Sequence, residues 1–128
     1  MIFVDTNVFM SAVGRDHPLR EQAQGFFEEQ FESKQKLLTS AEVLQELMHA
    51  YIPVQRIETL ERAFTLVEST VHQIWPLEQE DVRFARSLMQ RYPELGARDL
   101  LHLACCRRRR VSRIQTYDRS LAAAFERK

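Results

Sequence analysis

Lysine is nearly missing from this sequence: only Lys34, Lys36 and Lys128 are present. Cysteine is scarcer still, with Cys105 and Cys106 side by side. Neighbours on a helix point about 100° apart, so this pair has the spacing of neither a metal knuckle nor a redox pair. Both read as small helix residues in a reducing cytosol. No apolar run approaches the roughly 20 residues that a membrane span needs, and no basic leader precedes the first apolar run, so neither an anchor nor a secretory signal is expected. The expected setting is cytoplasmic, without membrane contact. No internal repeat, low-complexity tract or linker interrupts the chain. Its 128 residues, 45% of them hydrophobic, suit a single domain spanning 1–128 around one core.

Net charge is also lacking, since 18 bases balance 18 acids. The balance hides an asymmetry: residues 1–82 carry 14 acids and 6 bases, residues 83–128 carry 4 acids and 12 bases. A neutral chain with one basic segment can still bind a polyanion locally.

What is present is organised around Ile2-Phe3-Val4-Asp5-Thr6-Asn7. A β-branched and aromatic run ending in polar residues predicts a buried central strand, Ile2–Val4, with Asp5 at its C-terminal end. A short helix over Val8–Val13 follows, stopped by Gly14, and Arg15-Asp16-His17-Pro18 marks a break and a new helix start. Leu19, Ala23, Phe26, Phe27, Gln30 and Phe31 recur at helical spacing and predict an apolar face. A strand over 36–40 leads through Ser40, a suitable cap, into a helix Ala41–Tyr51 with Val43, Leu44, Leu47, Met48 and Tyr51 inward. A helix over 54–68 points Ile57, Leu60, Phe64 and Val67 inward, and a strand Val71–Trp75 comes next. The helix Glu78–Tyr92 carries Val82, Ala85, Leu88 and Tyr92 on its apolar face. A loop over 93–96, a helix Ala97–Arg109, a strand Val111–Thr116 and a last helix from Ser120 to Phe125 complete the order. Strands alternating with helices imply a parallel sheet covered on both faces, with every strand's C-terminus on one edge. That edge is where open sheets bind ligands.

Four carboxylates can converge there. Asp5 ends the first strand, Asp118 follows the fourth, Glu46 sits in the second turn of a helix, and Asp99 opens another. Helical side chains tilt toward the N-terminus, so a glutamate one to two turns in can lean over the edge. Unpaired carboxylates repel and raise one another's pKa, and no lysine is placed to neutralise them. Hard oxygen donors without a histidine or cysteine cluster point to Mg²⁺ or Mn²⁺, an ion suited to phosphodiester hydrolysis. Each acid has a plainer role: Asp5, Asp99 and Asp118 can serve helix N-termini, and Glu46 can be a solvated surface acid, with Glu42 competing for its place.

Four stretches together resemble the PIN domain, and within it the toxin ribonucleases of VapBC toxin–antitoxin pairs. They are Val4-Asp5-Thr6-Asn7-Val8-Phe9, Thr39-Ser40 through Val43-Leu44-Gln45-Glu46-Leu47, Ala97-Arg98-Asp99-Leu100-Leu101-His102-Leu103-Ala104, and Gln115-Thr116-Tyr117-Asp118-Arg119. The resemblance implies a three-layer α/β/α domain with a mostly parallel sheet of four or five strands, and Mg²⁺- or Mn²⁺-dependent cleavage of RNA. It implies Asp5, Glu46 and Asp99 as the main acidic positions, Asp118 as the fourth, and Asn7 and Thr116 in support. A homodimer and a cognate antitoxin protein are implied in the same way. Many members carry a further strand after the last acid; here ten residues follow Asp118 and they read as a helix.

Arg107, Arg108, Arg109 and Arg110, with Arg113, form the densest charge. Arg107, Arg108, Arg110 and Arg113 are candidates for RNA phosphates or an acidic antitoxin segment; a solvated helix end is the plainer reading, since consecutive helical residues cannot all face one ligand. Two other functions are open to the fold. A receiver-type phosphoacceptor would need a lysine at a late strand end, which is missing. A non-catalytic RNA- or protein-binding module would keep the fold without cleavage.

Overall fold

The computed structural model describes residues 1–14 and 16–127, so Arg15 of the expected break and Lys128 lie outside the described residues. β1 (Ile2–Val4) is wholly buried and lies between β2 (Leu37–Ser40) and β4 (Ile114–Gln115), with β3 (Gln73–Trp75) beyond β2. All pairings are parallel, and Phe3 sits opposite both Leu38 and Ile114. The order β3-β2-β1-β4 reverses direction between β1 and β4, which opens a crevice beyond the C-terminal end of β1. Among the described residues the sheet has four strands. A fifth after Asp118 is not formed there, because that stretch is the helix α7 (Arg119–Glu126).

The helices sort into two groups. α1 (Thr6–Ala12), α2 (Pro18–Ser33), α3 (Ala41–Tyr51) and α4 (Ile57–Thr70) contribute to one core around Phe3, Val8, Phe9, Phe27 and Leu47. α5 (Gln79–Leu88), α6 (Ala97–Arg108) and α7 build a second around Leu88, Tyr92, Leu103 and Leu121. The result is a three-layer α/β/α arrangement, as right-handed crossovers require.

Four expected core residues are exposed instead: Phe31 at 86%, Val82 at 50%, Ile57 at 48% and Met48 at 43%. The cause is overhang. Strands of three or four residues rise only about 10–13 Å, whereas a 16-residue helix such as α2 is about 24 Å long. Phe31 lies in the last turn of α2, Ile57 and Val82 in first turns, and Met48 near the end of α3, where the described residues leave them largely uncovered.

Local chemistry sets the other boundaries. α1 begins at Thr6, two residues before the expected start, because the Asp5 carboxylate accepts from the Thr6 amide at 2.7 Å and caps the helix. His17 caps α2, its Nδ1 accepting from the Leu19 amide. α5 ends at Leu88 rather than Tyr92; Tyr92 is nevertheless buried, its hydroxyl donating to the Arg127 carbonyl.

The arginine tract is largely engaged within the fold. Asp81, fully buried in the first turn of α5, accepts from Arg108 at 2.5 Å and Arg109 at 2.8 Å. These bonds hold the Asp81 carboxyl down at about 2, against the cost of its burial. Arg109 also lies over the Trp75 ring. Arg107 lies over Tyr92 and donates to the carbonyls of Ala124 and Arg127. Arg110 is exposed in a left-handed turn (φ 58°), and Arg113 is exposed with one long bond to Gln35.

Candidate active site

The crevice at the sheet's reversal point is a cleft of about 580 Å³. Asp5, Glu46, Asp99 and Asp118 all line it, with Thr6, Asn7, His49 and Arg98 among their neighbours. Four separate segments deliver these acids. Asp5 stands at the end of β1, Glu46 in the second turn of α3, Asp99 in the first turn of α6, and Asp118 at the cap of α7.

Asp5 is held from several sides. Oδ1 accepts from the Thr6 amide; Oδ2 accepts from the Thr116 hydroxyl at 2.7 Å and, more weakly, from the Asn7 amide at 3.4 Å. Asn7 also bonds Thr116 and accepts from the Tyr117 amide, tying the end of β1 to the end of β4. Asp118 does two things at once: it lines the cleft, and its Oδ1 accepts from the Leu121 amide to cap α7. The capping and cleft-lining readings of Asp5 and Asp118 are therefore compatible. Asp99 is no cap; Gly96 holds that position.

Glu46 is not a solvated surface acid. Its Oε1 lies 2.6 Å from His102 Nε2, and its Oε2 accepts from the Thr6 hydroxyl at 3.0 Å. Glu42, its competitor, makes no such bonds among the described residues and does not line the cleft. His102 is the residue that the sequence reading overlooked. It is 1% exposed, packed against the Phe3 ring, and 3.6 Å from Asp5 Oδ1. The available signal was its spacing: three residues after Asp99 on one helix places both on the same face. Asp5, Glu46 and His102 each bring a ligand-type atom within 4.8 Å of one another; Asp99 and Asp118 line the same cleft outside that tight group.

The electrostatics are strained toward excess negative charge. Burial, then repulsion from Asp118 and Asp5, pushes the Asp99 carboxyl up to about 6. Burial raises Asp5 despite nearby His102 and its hydrogen bonds. Burial and then Glu46 raise Glu42. Glu46 goes the other way: burial opposes ionisation, but the hydrogen bond from His102 and the imidazole's field outweigh it. His102 is raised in turn, because Glu46, Asp5 and Asp99 overcome its burial. Among the described residues no lysine or arginine pairs with any of the four acids. Hard carboxylate oxygens in a partly open cleft, with repulsion unrelieved at Asp99, fit a small divalent cation. The expected basic tract lies elsewhere: Arg108 is nine residues from Asp99, about 14 Å along α6.

A family model described as the PIN domain matches residues 2–126. Ribonuclease VapC23 of Mycobacterium tuberculosis is 61% identical over 125 residues, 98% of each chain. Ribonuclease VapC13 of the same organism is 39% identical over 119 residues, 93% of this chain and 91% of its own. The crystal structure of Mycobacterium tuberculosis VapC20, a toxin that cleaves the sarcin–ricin loop, superposes with a TM-score of 0.78 at 20% identity, covering 97% of this chain and 95% of that one. A chain of a toxin–antitoxin complex from Klebsiella pneumoniae gives 0.67 at 21% identity, covering 95% and 91%. At such identities these last two speak for the fold.

Proposed function

The chain belongs to the PIN-domain family, among the VapC ribonucleases, and from that premise we propose that it hydrolyses RNA phosphodiester bonds as the toxin of a type II toxin–antitoxin pair. The observation that carries this reading is the convergence of Asp5, Glu46, Asp99 and Asp118 on one cleft with no lysine or arginine paired to them among the described residues. Asp5, Asp99, Glu46 and Asp118 would hold Mg²⁺ or Mn²⁺. When bound, such an ion supplies Lewis acidity, making water a better nucleophile and steadying charge on phosphoryl oxygens.

The chain's own residues do the rest. Asn7 and Thr116 fix the direction of Asp5 and lock the two strand ends that flank the crevice. Thr6 and His102 fix Glu46. Arg98 and His49 line the cleft as its basic members and suit the phosphates flanking the scissile bond. Within the arginine tract, Arg110 and Arg113 have exposed side chains for RNA or antitoxin, while Arg107 and Arg108 are engaged by Tyr92, Arg127 and Asp81. Residues 1–128 act as one domain, a cognate antitoxin is the protein partner, and the toxin is a homodimer.

The test is cleavage of RNA by purified protein with Mg²⁺ or Mn²⁺, abolished by chelation and in Asp5→Asn and Asp99→Asn. Metal binding without cleavage of any RNA would overturn the nuclease reading in favour of a non-catalytic module. Light scattering with and without the co-expressed antitoxin tests the assembly.

A further inference from the structure

Resting on the nuclease reading only for its activity arm, we infer that His102 is a positioning residue whose Nε2–H fixes the Glu46 carboxylate toward the cleft. The imidazole is placed for one bond. Nε2 is 2.6 Å from Glu46 Oε1, whereas Asp5 Oδ1, at 3.6 Å, is beyond hydrogen-bond reach. Nδ1 has no partner among the described residues, and the ring is 1% exposed against Phe3. Two donors bound at right angles to one small ion, each about 2.1 Å away, stand about 3.0 Å apart. A separation of 2.6 Å is the distance of a charge-assisted hydrogen bond instead. His102 therefore acts on Glu46 rather than beside it as a ligand.

The other Glu46 oxygen is held by the Thr6 hydroxyl at 3.0 Å. The carboxylate is gripped at both oxygens while it lines the cleft. A glutamate without this grip has three side-chain torsions free, and fixing such torsions in advance is what a preorganised site requires.

His102→Gln and His102→Asn separate this role from simple core packing. The glutamine amide nitrogen falls where histidine Nε2 lies, and the asparagine nitrogen where Nδ1 lies. Both are polar and of similar bulk. His102→Gln is expected to keep kcat within about threefold of wild type. His102→Asn is expected to lose roughly 10–100-fold in kcat with little change in KM. Mn²⁺ affinity, measured by calorimetry without RNA, should stay within about threefold of wild type in His102→Gln and weaken in His102→Asn, where Glu46 loses its hold. Equal losses in the two variants, or a joint collapse of Mn²⁺ affinity, would overturn the assignment. A wild type that cleaves no RNA in the same assay would overturn the nuclease reading instead. An arm independent of activity and of variant folding then decides the contact: imidazole NMR of metal-free wild type should show a slowly exchanging proton on Nε2. A ring with no proton on Nε2 would end the proposal.

Discussion

Asp99 is the acid with least relief, and its titration has a sign that can be measured. Its folded value of about 6 lies above the ordinary 3.8. Between the two, the folded state holds a proton that the unfolded state has lost, so stability falls as pH rises through that window. Asp5 and Glu42 shift in the same direction. The metal-free protein should therefore melt at a lower temperature at pH 7 than at pH 5. Mn²⁺ should raise the melting temperature strongly at pH 7.5 and little at pH 5, as differential scanning fluorimetry would show. Asp99→Asn should raise the metal-free melting temperature and abolish the Mn²⁺ shift, a trade of function for stability. Thr116 offers a second residue-level measurement. Its hydroxyl donates to Asp5 and accepts from Asn7 and the Asp118 amide. Thr116→Val should weaken Mn²⁺ binding roughly 10–100-fold while leaving the strands in place.

At the scale of the element, α6 has two ends with different jobs. Its first turns bring Asp99 to the cleft and His102 beneath it against Glu46, and its last turn is clamped to α5 through Asp81. Asp81→Asn should cost about 1–2 kcal/mol in urea unfolding at pH 7, after allowance for nearby solvent. Because the folded Asp81 value is depressed to about 2, that contribution should be present above the ordinary value near 4 and vanish as pH falls toward 2. The same helix shows what could be read in advance. The central place of β1, the alternation of strands with helices and the placement of the four acids follow from periodicity and from where polar residues interrupt apolar runs. Periodicity says which residues share a face; it does not say where the neighbouring element stops, which is why Phe31 and Val82 are exposed. His102 was signalled only by its spacing from Asp99 on one helix face, and its role depends on a glutamate 56 positions away. The arginines looked like a free basic patch because their partners, Asp81 and Tyr92, are distant in sequence.

For the whole molecule, the charge asymmetry between the two parts of the chain is resolved partly by internal pairing. Salt dependence of RNA binding should therefore report few residues. Arg98→Gln should reduce the magnitude of the slope of log K against log salt by about 0.7 for single-stranded RNA, while Arg107→Gln leaves it unchanged. The expected single domain should unfold in one transition, with calorimetric and van't Hoff enthalpies equal. The turn over residues 52–56 lies between the two pairs of acids and is exposed throughout. A break there would leave Asp5 and Glu46 on one fragment, Asp99 and Asp118 on the other. Each fragment would be a harmless half of a lock, and cutting power would return only where both are brought together, so a conditional nuclease is already implicit in where this polypeptide bends.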